Sequence, residues 1–273
     1  MIDRVGGQFH DDPTNRNNVP QHREVMKWAN VYSSGILTAA TILLTVTPLH
    51  ADLYSGNGGT GFGGPLGTGS LTLTDNGTTI SGLFTRGAGN HNDMVVIYID
   101  SVVGGFSTTG LFNDQDDDLR RSVSGVGGFG RSTVNFAPGF LADYAIAIHN
   151  NNFTFGGLWS LANGGNLSLP FQTSVNLSGG GNGAASYTFD FDFSEIGLGG
   201  ATPFNFVVTY TSESGFRSNE AIGASDAPGG NVNIAAGNLN FSDFLIYPVP
   251  EPSSLALAGL GALALSVLRR NRK

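Results

Sequence analysis

The chain has 273 residues, of which 41 are Gly, 11 are Pro and none is Cys, and only 12% are charged. So little charge argues against a helical bundle or coiled coil, and 40% hydrophobic residues exclude a wholly disordered chain. Residues 52–248 contain five Arg, no Lys and 16 Asp or Glu, a net charge near −11 that disfavours binding to nucleic acid or anionic lipid. The lack of Cys excludes thiol catalysis and cysteine-ligated zinc. A Gly-rich globular β protein remains.

The N-terminal region contains the parts of a secretory signal peptide. Basic Lys27 precedes an apolar stretch over residues 35–46, and the small Ala51 lies at a suitable cleavage position. We therefore expect a signal helix that is cleaved between Ala51 and Asp52. The alternative interpretation of the apolar stretch is a buried core helix.

The C-terminal region has three parts in a fixed order. Val249-Pro250-Glu251-Pro252 comes first, and an uncharged run over residues 255–268 follows it. A helix of that length reaches about 21 Å, short of a hydrocarbon core of about 30 Å, so we expect a short transmembrane helix. The basic end, residues 269–273, should stay on the cytoplasmic side and leave Pro-Glu-Pro outside. Its basic residues are Arg269, Arg270, Arg272 and Lys273.

This order of Pro-Glu-Pro, apolar helix and basic end resembles the PEP-CTERM sorting signal of Gram-negative bacteria. The resemblance implies export and recognition by an exosortase in the inner membrane. It also implies cleavage near Pro-Glu-Pro and release or attachment at the cell surface, often beside exopolysaccharide. The alternative is an ordinary tail anchor that is not cleaved.

Short runs of alternating apolar and polar residues between Gly, Asn, Asp and Pro predict an all-β fold, an antiparallel β-sandwich. Residues 187–193 should turn their aromatic side chains to the core and their Asp side chains to solvent. Residues 94–99 are apolar on both faces and should form a central strand that is covered on both sides. The nine predicted strands are residues 70–74, 78–84, 94–100, 144–149, 154–161, 167–177, 186–193, 204–211 and 239–247.

The predicted organisation has four parts. Residues 1–51 are an N-terminal extension with the signal peptide, and residues 52–69 are a flexible, Gly-rich lead-in. The sandwich covers residues 70–248, and the sorting signal covers residues 249–273. Since residues 1–25 are polar and unusually long for a signal peptide, translation starting at Met26 would explain them.

A second resemblance concerns the middle of the chain. The segments that carry it are residues 93–100 (DMVVIYID), the Gly104-Gly105 turn, residues 138–146, residues 193–198, and residues 206–210 leading to residues 218–221. Together they resemble the jelly-roll-like DOMON sandwiches. That group includes family-nine carbohydrate-binding modules. The resemblance implies a sandwich fold and suggests a polysaccharide as the partner.

Two groups of acidic residues are candidates for chemistry. Asp114, Asp116 and Asp118 offer oxygen ligands at alternate positions, as a calcium site requires, or they form a solvated loop. Asp190 and Asp192 point the same way from one strand, about 7 Å apart, a spacing used by paired glycosidase carboxylates. The alternative for this pair is a solvated strand face. No other cofactor is expected.

Four aromatic residues, Tyr144, Phe153, Phe155 and Trp159, lie close together in sequence and could bind sugar rings, or else pack in the core. The sequence thus predicts an exported, exosortase-sorted surface or matrix protein that is not an enzyme and binds exopolysaccharide. Two alternatives stay open. One is an exported glycan hydrolase that uses Asp190 and Asp192, and the other is a purely structural matrix protein.

Overall fold

The computed structural model describes residues 51–128, 130–149, 155–161, 168–225 and 237–248. Among these residues the α-helix is α1 (Asp118–Ser124). The strands are β1 (Ala51–Ser55), β2 (Ser70–Asp75), β3 (Thr79–Thr85), β4 (Met94–Asp100), β5 (Val126–Gly127), β6 (Gly130–Arg131), β7 (Thr133–Asn135), β8 (Tyr144–Ile148), β9 (Phe155–Ser160), β10 (Phe171–Asn176), β11 (Ser186–Asp192), β12 (Phe204–Thr211), β13 (Arg217–Ile222), β14 (Asn238–Asn240) and β15 (Leu245–Tyr247).

Two antiparallel sheets pack face to face. One sheet has the order β1-β2-β3-β11, and the other has the order β10-β9-β8-β4-β12-β13, with β15 also paired to β12. Aliphatic and aromatic side chains from both sheets form one core between them, so the predicted antiparallel sandwich is confirmed. Two small ladders lie outside these sheets, an antiparallel one (β5-β6) and a parallel one (β7-β14).

The larger sheet is covered on both faces. Met94, Val96 and Tyr98 of β4 point away from the smaller sheet into a second core, which α1 and several loops close. This arrangement confirms the prediction of a central strand with two buried faces. On β11 the aromatic side chains are buried and Asp190 is exposed, again as predicted.

Strand β13 was not predicted, because its sequence RSNEAI is mostly polar, yet every residue in it is buried. The carboxylate of Glu220, 0% exposed, lies under the Gly-rich segment that follows β1. Four backbone N–H groups donate to it at 2.7–3.2 Å, those of Phe62, Gly64, Leu66 and Gly67. Each of these charge-assisted hydrogen bonds fastens the segment to the sandwich.

This anchored loop differs from the flexible lead-in that its glycines predict. The loop folds back on itself so tightly that a Cβ on Gly67 would lie 2.0 Å from the carbonyl oxygen of Gly59. Glycine is therefore required there for close backbone approach rather than for mobility.

Arg217, on the opposite face of β13, fastens α1 to the larger sheet. Its buried guanidinium donates to the Tyr98 hydroxyl at 2.7 Å and to the carbonyl oxygen of Val123, in α1, at 2.9 Å. It also donates to the hydroxyls of Thr209 and Thr211. These neutral acceptors satisfy the buried cation and fix α1 against the sheet.

The last strand, β15, closes the sandwich. Tyr247 is fully buried, stacks on Phe204 at 5.2 Å and donates a hydrogen bond to Asp75. The Tyr54 hydroxyl of β1 donates to the carbonyl oxygen of Ile246 at 3.0 Å. The predicted strand 239–247 is thus two strands, β14 and β15, and the first and last strands described are linked directly.

The predicted terminal segments lie largely outside the described residues. Both expected helices, over residues 35–46 and 255–268, fall there, as do the basic end and Pro250-Glu251-Pro252. Ala51, the last residue before the predicted signal cleavage, is the first residue of β1. In the part of the chain that the structure describes, no helix is long and apolar enough to cross a membrane.

Replacing Glu220 with Gln should lower the free energy of unfolding by about 3 kcal/mol, because an amide N–H₂ would face backbone donors in a buried site. Chemical denaturation measures this loss, and proteolysis of residues 56–69 should become faster in the variant. Glu213→Gln, at an exposed position, is the matched control and should change stability by less than about 0.5 kcal/mol. Equal stabilities of the two variants would contradict the anchoring role of Glu220.

Candidate functional site

A pocket of about 530 Å³ lies between the start of α1 and strands β9 and β10. It brings together two groups of residues that the sequence analysis treated separately, the acidic run and part of the aromatic cluster. The lining residues are Asp116, Asp117, Asp118, Leu119, Arg120, Arg121, His149, Phe155, Trp159 and Phe171.

Aromatic side chains form one wall of the pocket. Trp159 is 2% exposed, whereas Phe155 and Phe171 are 39% and 46% exposed. The ring of Phe171 meets the indole edge-on at a centroid distance of 6.0 Å. Trp159 is thus the buried base of this wall, and the two Phe rings are the surfaces that a ligand could reach.

The indole of Trp159 lies over Gly157, two residues earlier on β9. A Cβ on Gly157 would lie 2.2 Å from the indole atom Cη2, so only glycine leaves room for the ring. Strand β9 therefore needs Gly157 beneath Trp159 for the indole to form this wall.

Two buried N–H donors at the pocket have no acceptor among the described residues, Nε1 of Trp159 and Nε of Arg120. The Arg120 Nε lies 3.5 Å from Oδ2 of Asp114 but makes no hydrogen bond with it. Since both atoms are themselves buried, neither donor is open to a ligand in the pocket.

The opposite wall is the first turn of α1, where the sequence analysis expected a loop. Asp117 caps the helix by accepting from the backbone N–H of Arg120 at 2.8 Å, and Gly125 ends the helix with a left-handed φ of 72°. The Arg120 guanidinium also contacts the Asp117 carboxylate at 2.6 Å, and Arg121 pairs with Asp118. Two of the rim carboxylates are therefore paired with cations.

The predicted calcium ligands do not come together. Asp114 is buried and accepts from the backbone N–H groups of Asp116 and Leu169, while Asp118 is paired with Arg121. Within the described ranges no three His, Asp or Glu side chains lie close enough to hold a metal ion. The run therefore forms a helix cap and a pocket rim, and its geometry gives the calcium prediction no support.

The structure separates the four aromatic residues that were predicted to bind sugar rings. Tyr144 lies in the core between the two sheets, where burial, followed by the charge of Asp143, raises the pKa of its hydroxyl. It therefore does not belong to the pocket. Phe153 lies outside the described residues. Phe155 and Trp159 line the pocket as a pair from one face of β9.

The two candidate catalytic carboxylates lie in different surroundings: Asp192 is hydrogen-bonded within the protein, and Asp190 faces solvent. Oδ1 of Asp192 accepts from the Thr79 hydroxyl at 2.6 Å, and the Asp192 backbone N–H donates to Glu195 at 2.7 Å. The second of these contacts belongs to a capping box between Asp192 and Glu195 for the turn Phe193–Ile196. Asp190 is exposed on the same outer face of the smaller sheet.

The sequence analysis missed six of the lining residues, among them His149, Phe171 and Arg120. These three come from different segments, and only the pairing of β9 with β8 and β10 and the docking of α1 place them together. The other described histidine, His91, lies among Phe84, Tyr187 and Tyr210. Burial, and then the charges of His149 and Arg86, lower the pKa of His91 to about 4.

The comparisons with known proteins identify the end of the chain. Residues 248–273 match the PEP-CTERM protein-sorting motif, which confirms the resemblance noted in the sequence. The motif marks the protein as exported and sorted at the membrane by an exosortase. No curated protein and no solved structure matched the chain.

Trp159→Ala should lower the free energy of unfolding by about 3–5 kcal/mol, because a large buried side chain would leave a cavity in the second core. Phe171→Ala, at the same wall but half exposed, should cost about 1 kcal/mol or less. Urea denaturation of both variants compares them directly. A small loss for Trp159→Ala would show that the indole is a contact surface and not part of the core.

Proposed function

We propose that this protein, which its PEP-CTERM motif sends to an exosortase, works outside the cell as a non-catalytic surface or matrix protein that binds polysaccharide in the pocket beside α1. The observation that carries the proposal is a pocket in which two half-exposed Phe rings flank a buried Trp on one wall. Sugar rings offer apolar C–H faces that stack on such exposed aromatic rings. The resemblance to DOMON-like sandwiches, with their carbohydrate-binding modules, favours the same ligand class.

A non-catalytic role fits the surroundings of the acidic residues. Asp192 is engaged by Thr79 and by the turn that follows it, and Asp117 and Asp118 are paired with arginines. A general acid and base would each need a carboxylate that can reach a substrate in a distinct environment. These contacts favour binding over hydrolysis.

A sugar ring that buries 40–60 Å² on one Phe gains roughly 1–1.5 kcal/mol, at about 25 cal/mol per Å². Replacing both Phe155 and Phe171 with Ala should therefore weaken retention on the preferred polysaccharide by about a hundredfold. Affinity electrophoresis in gels that contain a single polysaccharide measures this retention. Circular dichroism checks that the variants are folded.

The matched control is Leu83→Ala, since Leu83 is 37% exposed, close to Phe155, but lies on the outer face of the smaller sheet. Its retention should equal that of the wild type. Retention that is unchanged in the double Phe variant would overturn the pocket as the binding site. A wild-type protein that no polysaccharide retains would overturn carbohydrate binding altogether.

The proposed life cycle predicts the mass of the mature protein. Protein recovered from the native cell surface should begin at Asp52 and end near Pro250, because signal cleavage and exosortase cleavage remove both ends. Intact-mass spectrometry tests both positions in one measurement. A mass that includes residues 255–273 would instead favour a retained tail anchor.

A further inference from the structure

The charges around the pocket are not balanced. Four carboxylates, Asp114 beneath the rim and Asp116, Asp117 and Asp118 along it, surround two guanidinium groups. Asp117 and Asp118 pair with Arg120 and Arg121, and Asp114 lies 3.5 Å from Arg120. Asp116 is exposed and makes no ion pair within the described residues, so it gives the pocket entrance a negative charge.

The two arginines are poorly placed to receive an anionic ligand. Besides its contact with Asp118, Arg121 donates to the carbonyl oxygens of Glu213 and Gln115. Arg120 is held by Asp117 at 2.6 Å. A carboxylated sugar would have to replace these partners, and it would also approach a part of the chain with a net charge near −11.

An uncharged sugar avoids both costs. Its apolar faces can cover the exposed rings of Phe155 and Phe171 without displacing the partners of either arginine. The pocket thus combines attractive contacts that any hexose can make with a repulsive element that acts only on anions, which is how specificity against a competitor is achieved.

We infer that the pocket selects neutral polysaccharides and rejects carboxylated ones, and that Asp116 is the residue that sets this preference. This inference rests on the proposed polysaccharide binding and adds the class of ligand. At about 7 Å and in a water-like dielectric, each unit of charge changes the affinity for an anionic group by about threefold.

The experiment compares one polymer in two charge states. Dextran, mannan and galactan are each presented to the full-length protein by affinity electrophoresis, and the polymer retained best is then compared with its carboxymethyl derivative. The wild type should be retained on the neutral form and at least about tenfold less on the carboxymethyl form at low salt.

Asp116→Lys should raise the ratio of retention on the carboxymethyl polymer to retention on the neutral polymer by about fivefold to tenfold. The gain should disappear in 0.5 M NaCl, where the Debye length is only about 4 Å. Asp190→Lys is the matched control, because it makes the same change in net charge at an exposed position on the outer face of the smaller sheet. It should produce little gain.

Each remaining outcome has a defined meaning. Equal wild-type retention on both charge states would overturn the selectivity and leave the proposed function intact. An equal gain from Asp116→Lys and Asp190→Lys would show that net charge, and not the pocket rim, governs the choice. Failure of all three neutral polymers to retain the wild type would overturn the inference together with the binding on which it rests.

Discussion

The structure depends on two opposite charges that are buried on one strand without pairing to each other. Arg217 and Glu220 lie on opposite faces of β13, so each has to be satisfied by a different part of the chain. Glu220 accepts hydrogen bonds from backbone N–H groups of the Gly-rich loop. Arg217 donates hydrogen bonds to hydroxyl and carbonyl oxygens, including the carbonyl oxygen of Val123 in α1. Because an unsatisfied buried charge is so costly, the Gly-rich loop and α1 are both held in place. The rim of the pocket is formed by the start of α1, so it is held in place as well.

The sequence predicted the parts of the fold whose signal is local. The bounds of β4 and β12 agree with the predicted strands 94–100 and 204–211, since uninterrupted or alternating apolar residues mark a buried strand directly. Strand β13 was missed because its Arg, Ser, Asn and Glu are buried only through partners far away in the chain. The loop before β2 was misjudged for a related reason, as its glycines permit close packing as readily as they permit mobility.

The site was predictable only in pieces. Phe155 and Trp159 could be paired by strand alternation, and the acidic run stood out by its charge. Nothing local placed the run at the N-terminus of a helix beside β9, although Asp117 and Gly125 are residues that commonly cap helices. Tyr144 was grouped with the aromatic residues by its nearness in sequence, yet it belongs to the other core, because the face on which a strand residue lies depends on register and not on proximity.

The closure of the sandwich by Tyr247 bears on how an exosortase reaches the sorting motif. The sorting motif begins at residue 248, directly after this buried tyrosine, so no spacer separates the folded body from the peptide that the exosortase recognises. An exosortase that acts on the motif would therefore meet it directly beside a buried anchor of the folded body and not at the end of a long linker.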